Sequence, residues 1–386
     1  MKDTTNSATA HPKRTLFGNM LYAFRLFLVN FLIFAALAEV GSIIIVHRKN
    51  WPSSRPNYHL NYNLFWADIN PDFGVWHRPN GVFEHKGGCY DVTYYTNSYG
   101  ARDAERSKHS TAPRTVVLGD SMMEGLGVPA EVRLSDVMER DTGIEQLNFG
   151  TGGNFGPLQY ALLYKSMAAN FDHNLVIVGV LPDNDFHDMD LGYWKSIGLG
   201  DRYRPYYDSN FSVFYTGHYD PNSGNGVWDH TEALLRAYLA SYHVGQFIYT
   251  RFYWHNLHQY SGYNDWNDVD LERLKKSLED IKATADAHGA KVMVFLIPCA
   301  RDFERLHRAG TNRLGPVMES WGTQAGIPVK DLLPDMEARD GADWRSYFLP
   351  CDGHWSAKGN EVAAQILEPW LYPTNSFGGT IGKVSQ

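Results

Sequence analysis

Between residues 115 and 331, short apolar runs alternate with helical patterns, and no other feature restricts the fold of this chain so far. The candidate strands are 115–119 (TVVLG), 144–148 (IEQLN), 175–180 (LVIVGV), 291–298 (KVMVFLIP) and 327–331 (IPVKD). Candidate helices lie near 132–140, 157–169, 232–251, 271–287, 316–324 and 356–369. Strands that are apolar throughout have both faces covered, and strands separated by helices imply a parallel sheet with crossover connections. The helix at 271–287 is amphipathic, with Leu271, Leu274, Leu278, Ile281 and Ala285 on one face. The expected class is α/β.

A second feature fixes where such a sheet resides. Residues 26–46 read LFLVNFLIFAALAEVGSIIIV. At ~1.5 Å per residue this run is about 31 Å long, which matches a ~30 Å hydrocarbon core. Four basic residues precede it (Lys2, Lys13, Arg14, Arg25) and three follow soon after (Arg48, Lys49, Arg55). That bias implies a cytoplasmic N-terminal segment (1–25), a transmembrane anchor (26–46) and an exported body. The expected location is the cell inner membrane, single-pass, with the body periplasmic or extracytoplasmic. The rival reading is a cleavable signal peptide, because Ala36-Leu37-Ala38 resembles a cleavage site, but the apolar run continues past it. Ala35, Ala38, Glu39 and Ser42 share one helical face. Small residues there allow another helix to approach, and a carboxylate in a span wants a partner. The two readings are a docking face for a second membrane protein and a lone anchor that tolerates one acid.

Residues 47–110 carry many turn formers and little periodicity, and read as an irregular stalk and lead-in. The body proper is expected over 111–371, with an insertion at 186–266 and a frayed tail at 372–386. The insertion holds 21 of the 54 aromatic residues, so it either packs a small subdomain or forms a lid or acceptor surface. A net charge of −8 argues against a nucleic-acid partner. Hydrophobic residues at 44% and charged ones at 20% are enough to build a core and exclude a disordered chain.

The chemistry concentrates in VVLGDSMMEGLGV (116–128), where an apolar strand runs straight into Gly119-Asp120-Ser121. A serine there lies at the carboxyl edge of a parallel sheet, where α/β ligand sites form. The following helix points its first N–H groups at any developing oxyanion. This segment resembles the first block of the SGNH/GDSL hydrolase family. The second block is matched by Asn148-Phe149-Gly150-Thr151-Gly152-Gly153, the third by Asn184-Asp185 and the fifth by Asp352 and His354 in CDGHWSAKGN. All four occur in order across roughly 90–370. Residues 97–103 (NSYGARD) also resemble a segment that precedes the serine in membrane-anchored members.

The resemblance implies a three-layer α/β/α sandwich around a five-stranded parallel sheet, the flavodoxin-like SGNH fold, preceded by one transmembrane helix. It implies Ser121 as nucleophile, His354 as general base and acid, and Asp352 as the residue that orients it. The oxyanion donors would be the backbone N–H groups of Ser121 and Gly153 and the amide of Asn184. The Asp lies two residues before the His, not three, which resembles the alginate O-acetyltransferase-like branch. In that form either Asp352 or a backbone carbonyl orients the imidazole. The implied activity is that of an O-acetyltransferase or esterase on an acyl ester of a carbohydrate or cell-envelope glycan, with a membrane-embedded O-acyltransferase as partner and no cofactor. The alternative is a non-catalytic subunit that uses the same fold as an interaction module.

A metal reading of the acidic stretch 183–190 fails the EF-hand pattern. Counted from Asp183, positions six and twelve hold Asp188 and Trp194, where glycine and glutamate are required. The three cysteines contain no C-x-x-C pair, which excludes a zinc ribbon. A disulfide between Cys299 and Cys351 is one pairing, and Cys89 is the alternative partner for either.

Overall fold

The computed structural model describes residues 16–60, 65–253 and 260–373. Lys2, Lys13 and Arg14, Trp254 of the insertion and the tail beyond 373 lie outside them. Helix α1 (Leu16–Val46) covers the expected span and begins earlier, at Leu16 rather than 26. Its stretch Phe17–Val46 is long and apolar enough to cross a membrane. Asn30, polar within the apolar run, donates its amide to Leu26 O at 2.8 Å and so satisfies itself inside the helix.

The lead-in is not irregular. It folds into two antiparallel hairpins, β1 (Ala67–Asn70) with β2 (Gly74–Trp76) and β3 (Val82–Lys86) with β4 (Asp91–Tyr95). Strands of three to five residues among turn formers carry too little periodicity to be seen in sequence. Phe65, Phe83, Val92 and Tyr94 close a small core of their own there.

The main sheet follows. Strand β5 (Arg114–Leu118) leads into α2 (Ser121–Glu124) and α3 (Leu134–Thr142), and β6 (Glu145–Asn148) into α4 (Pro157–Ser166). Strand β7 (Leu175–Val180) precedes α5 (Pro182–Asp188) and α6 (Leu191–Ser196). The insertion holds the hairpin β8 (Arg204–Tyr207) and β9 (Val213–Thr216), then α7 (Val227–Tyr238) and α8 (Ala240–Tyr253). Helix α9 (Asp268–Ala287), β10 (Lys291–Leu296), α10 (Ala300–Ala309), α11 (Leu314–Ala325), β11 (Val329–Asp331), α12 (Leu332–Asp340) and α13 (Ala357–Leu371) complete the body.

The five strands are parallel and lie side by side as β6-β5-β7-β10-β11. In chain order that is 2-1-3-4-5, so the winding reverses between β5 and β7. Every residue of β5 and β7 is buried, as a sheet covered on both faces requires. Helix α4 packs on α9, and α3 and α12 pack on α13, which gives the three layers. The predicted face of α9 is the buried one: Leu274, Leu278, Ile281 and Ala285 are fully enclosed.

The expected single helix at 232–251 is instead two, α7 and α8, broken at an extended Leu239. No glycine or proline marks the break. Its cause is tertiary: Glu39 of α1 accepts from the N–H groups of Ala240 and Ser241 at 2.7 and 3.0 Å and caps α8. The carboxylate in the span therefore finds its partner within this chain. The insertion also packs onto the lead-in. The hydroxyls of Tyr203, Tyr215 and Tyr219 donate to the carbonyls of Pro71, Asp72 and Ile69.

The cysteine pairing left open in sequence is Cys89–Cys351, with Cα atoms 5.7 Å apart, and Cys299 is a buried free thiol. Cys89 sits in the turn between β3 and β4, so the bond ties the lead-in to the loop before α13. It closes a loop with a sequence separation of 262 residues. Cross-links of this kind contribute about 2–4 kcal/mol. Cys89→Ser is expected to lower the unfolding free energy by about that amount in a denaturant titration, and an unchanged midpoint would contradict the structural role.

Candidate active site

Ser121 stands where β5 ends. The helix cap is its neighbour: Asp120 accepts from Met122 N at 2.9 Å. Ser121 is therefore the first helical residue and its hydroxyl is free for another partner. That partner is His354, whose Nε2 lies 2.7 Å from Ser121 Oγ. His354 Nδ1 donates to Asp352 Oδ1, which also accepts from His354 N at 3.1 Å. A carboxylate, not a backbone carbonyl, orients the ring. With Nδ1 carrying the proton, Nε2 accepts from the serine.

The loop that presents this pair is held from both sides. Leu349 N donates to His354 O at 2.8 Å, Trp355 is buried behind the histidine, and Ser356 caps α13. Charge sets the protonation states. Burial alone would push Asp352 up, but the charge and bonds of His354 outweigh it and hold the carboxyl at about 2. Burial pulls His354 down, and the charge and hydrogen bond of Asp352 outweigh that and hold it above 6.5. His85, which lines the cleft with Asp352, is pulled down to about 4 by burial and stays neutral.

The remaining predicted residues converge at the same edge. Asn184 lies on α5 after β7, on the other side of the winding reversal. Its Nδ2 donates to Asp120 Oδ2 at 3.0 Å, while its Oδ1 is buried with no hydrogen-bond partner. Burial pushes Asp120 up to about 6, against the bonds it accepts from Met122 and Asn184. Gly153 follows β6 with φ +83°, where a Cβ would stand 2.9 Å from Val75 Cγ2, so the position demands glycine. Asn148 ties that loop down: its amide donates to Met123 O and Ser135 Oγ, both at 2.8 Å, and its Oδ1 accepts from Gly150 N. The acids of α5 are likewise spoken for, Asp183 by Arg301, Asp185 by Tyr160 and Asp188 by Arg204.

Two clefts meet at this point and share Leu126, Gly153, Asp352 and His354. The larger, about 850 Å³, runs past Trp66, Tyr90 and Arg202 to Asp229, Glu232 and Arg236 of α7 and to Ser53 and Ser54 beyond α1. The smaller, about 630 Å³, contains Ser121 and runs past Asn154 and Asn184 to Arg301.

Sequence reasoning missed Glu124, the third residue after Ser121. It has no exposed surface. Its carboxylate accepts from Gly152 N and from Trp66 Nε1 at 3.1 Å, and His77 Nε2 lies 3.2 Å away. Burial would raise its carboxyl, and His77, Arg102 and Trp66 together hold it below the usual value. A charged residue inside an otherwise apolar turn was the only signal. The 97–103 stretch acts on the same turn. Arg102 donates to the carbonyls of Glu124, Gly125 and Val128 at 2.6–2.7 Å, and Asp103 accepts from Asn148 N at 3.1 Å.

No family model and no curated protein sequence matches the chain. Solved structures do. It is similar to a member of the lipolytic protein G-D-S-L family from Veillonella parvula (11% identity, 69% of this chain and 100% of that one, TM-score 0.38). It is also similar to the lipase/acylhydrolase from Enterococcus faecalis (14%, 68% and 100%, TM-score 0.35). A GDSL-like lipase from Bacteroides thetaiotaomicron matches at 13% identity, over 69% and 91%, with TM-score 0.33.

Glu124→Gln keeps the volume but turns donors against donors. Leaving a buried donor without its acceptor costs about 1–3 kcal/mol. A loss of that size in chemical denaturation is expected, and a change within ~0.5 kcal/mol, as for an ordinary surface substitution, would contradict the assignment.

Proposed function

We propose that the protein is a membrane-anchored serine acyl-ester enzyme of SGNH/GDSL type, an O-acetyltransferase or esterase acting on a carbohydrate or cell-envelope glycan. One observation carries the reading: Ser121 Oγ, His354 and Asp352 form an unbroken hydrogen-bonded relay at the carboxyl edge of the sheet. Ser121 attacks the ester carbonyl while His354 Nε2 takes its proton, and His354 returns a proton to the departing alcohol. Asp352 stabilises the imidazolium. The N–H groups of Ser121 and Gly153 and the second N–H of the Asn184 amide receive the oxyanion, and each such donor is worth about 2.7–4 kcal/mol. A second alcohol or water then attacks the acyl-serine. The chain supplies nucleophile, proton carrier and oxyanion donors, so the chemistry calls on no cofactor.

Two clefts that meet at His354, one of them holding Ser121, support transfer, because a donor and an acceptor each need a seat. The Cys89–Cys351 bond supports an oxidising compartment outside the cytoplasm, with α1 as anchor and its N-terminus inside. A membrane O-acyltransferase partner would meet α1 at Ala35 and Ala38, which are exposed; Ser42 is covered and Glu39 is engaged by α8.

A serine-reactive phosphonate should label the protein and leave folded Ser121→Ala unlabelled. Equal labelling of both, or none of either, favours the non-catalytic subunit. With an oligosaccharide present, acetylated glycan in excess of free acetate marks the transferase. The pH profile gives a further check. His354 must be neutral to act as base, so kcat/KM should rise with pH through a pKa raised from that of an ordinary imidazole. Asp352→Asn removes the charge that raises it, so the acid limb should move to lower pH while the rate falls. An acid limb that stays in place would separate Asp352 from the base.

A further inference from the structure

Helix α7 is amphipathic the wrong way round for a helix in water. Asp229, Glu232 and Arg236 share one side of it and line the wide cleft. Val227, Leu234 and Tyr238 recur at i, i+7 and i+11 on the opposite side, 82%, 48% and 45% exposed. Helix α8 also turns apolar residues outward, although its inward side is apolar too. Ala240, Val244 and Phe247 face inward onto Ile45, Val46 and Trp51, while Ile248 and Phe252 point outward, Phe252 at 79%. Outward apolar faces on two consecutive helices demand an occupant.

Their attachment says which one. The turn between them sits on Glu39, seven residues before the end of α1 and so about 10 Å along it at ~1.5 Å per residue. If the apolar run 26–46 fills the hydrocarbon core, that turn lies about 10 Å below the outer face of the bilayer. Interfacial amphipathic helices seat their apolar sides ~5–10 Å deep. A helix start at such a depth needs its free N–H groups satisfied by protein, because lipid offers no acceptor. Both oxygens of Glu39 do this for Ala240 and Ser241. Leu239, in the turn itself, is exposed beside them.

We propose that α7 and α8 seat their outward faces in the outer leaflet of the bilayer that α1 crosses. The polar side of α7 then becomes the membrane-proximal wall of the catalytic cleft, and the wide cleft opens at the lipid surface. This rests on reading α1 as a span; it does not rest on the serine chemistry.

Spin labels test it in the full chain, reconstituted in phosphatidylcholine and phosphatidylglycerol vesicles. Leu234→Cys and Phe252→Cys carry the labels, with Leu32→Cys as the reference within the span and Val317→Cys as the reference on α11. The native cysteines are a disulfide and a buried thiol, and the unsubstituted protein serves as the labelling blank. The label at 234 should lose collisions with a water-soluble nickel chelate and gain them with oxygen, as Leu32 does; the label at 252, about 18 Å up α8 from Ala240 at ~1.5 Å per residue, should show the same bias more weakly, at headgroup level, while Val317 does the reverse. Nickel access at 234 and 252 with Leu32 in lipid overturns the proposal and leaves the span intact. Protection from both reagents marks a protein partner and overturns it as well. Nickel access at Leu32 removes the span and the proposal together. Phosphonate labelling of Ser121 reads the catalytic proposal separately in the same vesicles.

Discussion

A single carboxylate without exposed surface, that of Glu124, joins the parts of this molecule that chemistry needs together. It accepts from Gly152 N in the glycine loop and from Trp66 Nε1 in the lead-in, lies 3.2 Å from His77 Nε2, and closes the short helix that begins at Ser121. A buried charge persists only where partners compensate its desolvation. Each of these segments must therefore be in place for any of them to be. The close approach of Gly150 to the backbone of the helix that begins at Ser121 follows from the same demand, since a Cβ there would stand 2.5 Å from Glu124 N. The lead-in is a structural wall of the site, fastened by this carboxylate, by Arg102 and by the Cys89–Cys351 bond.

The site's location follows from sheet topology. Winding reverses between β5 and β7, so the chain leaves these neighbouring strands in divergent directions and opens a crevice at their carboxyl ends. Ser121 enters it from one strand and Asn184 from the other, and Asp120 bonded to Asn184 bridges the gap. His354 reaches the crevice on a loop stiffened by the cap of α13. The relay is thus assembled from the rigid end of a strand and a loop pinned at a helix cap, an arrangement that preserves its geometry.

The sequence made the five sheet strands and the serine, histidine and aspartate legible, for one reason. Apolar runs such as LVIVGV report local burial, and functional side chains sit at the ends of those runs. What it hid depends on contacts distant along the chain. Glu39 splits α7 from α8 across 201 positions, and neither partner carries a local break signal. His77 meets Glu124, and Cys89 meets Cys351, through turns and short hairpins with no periodicity to read. Glu39 was legible as a carboxylate needing a partner, but the face it shares with Ser42 is met by this chain's own α8.

The proposed chemistry requires Ser121 to carry the acyl group during turnover. Acid quenching of the protein in the steady state with an acetyl ester, followed by peptide mapping by mass spectrometry, reads this directly. The account predicts acetyl on the peptide containing Ser121, and its absence when His354 is replaced by alanine. Sustained turnover with acetyl on another residue, or on none under conditions where deacylation is limiting, would contradict it.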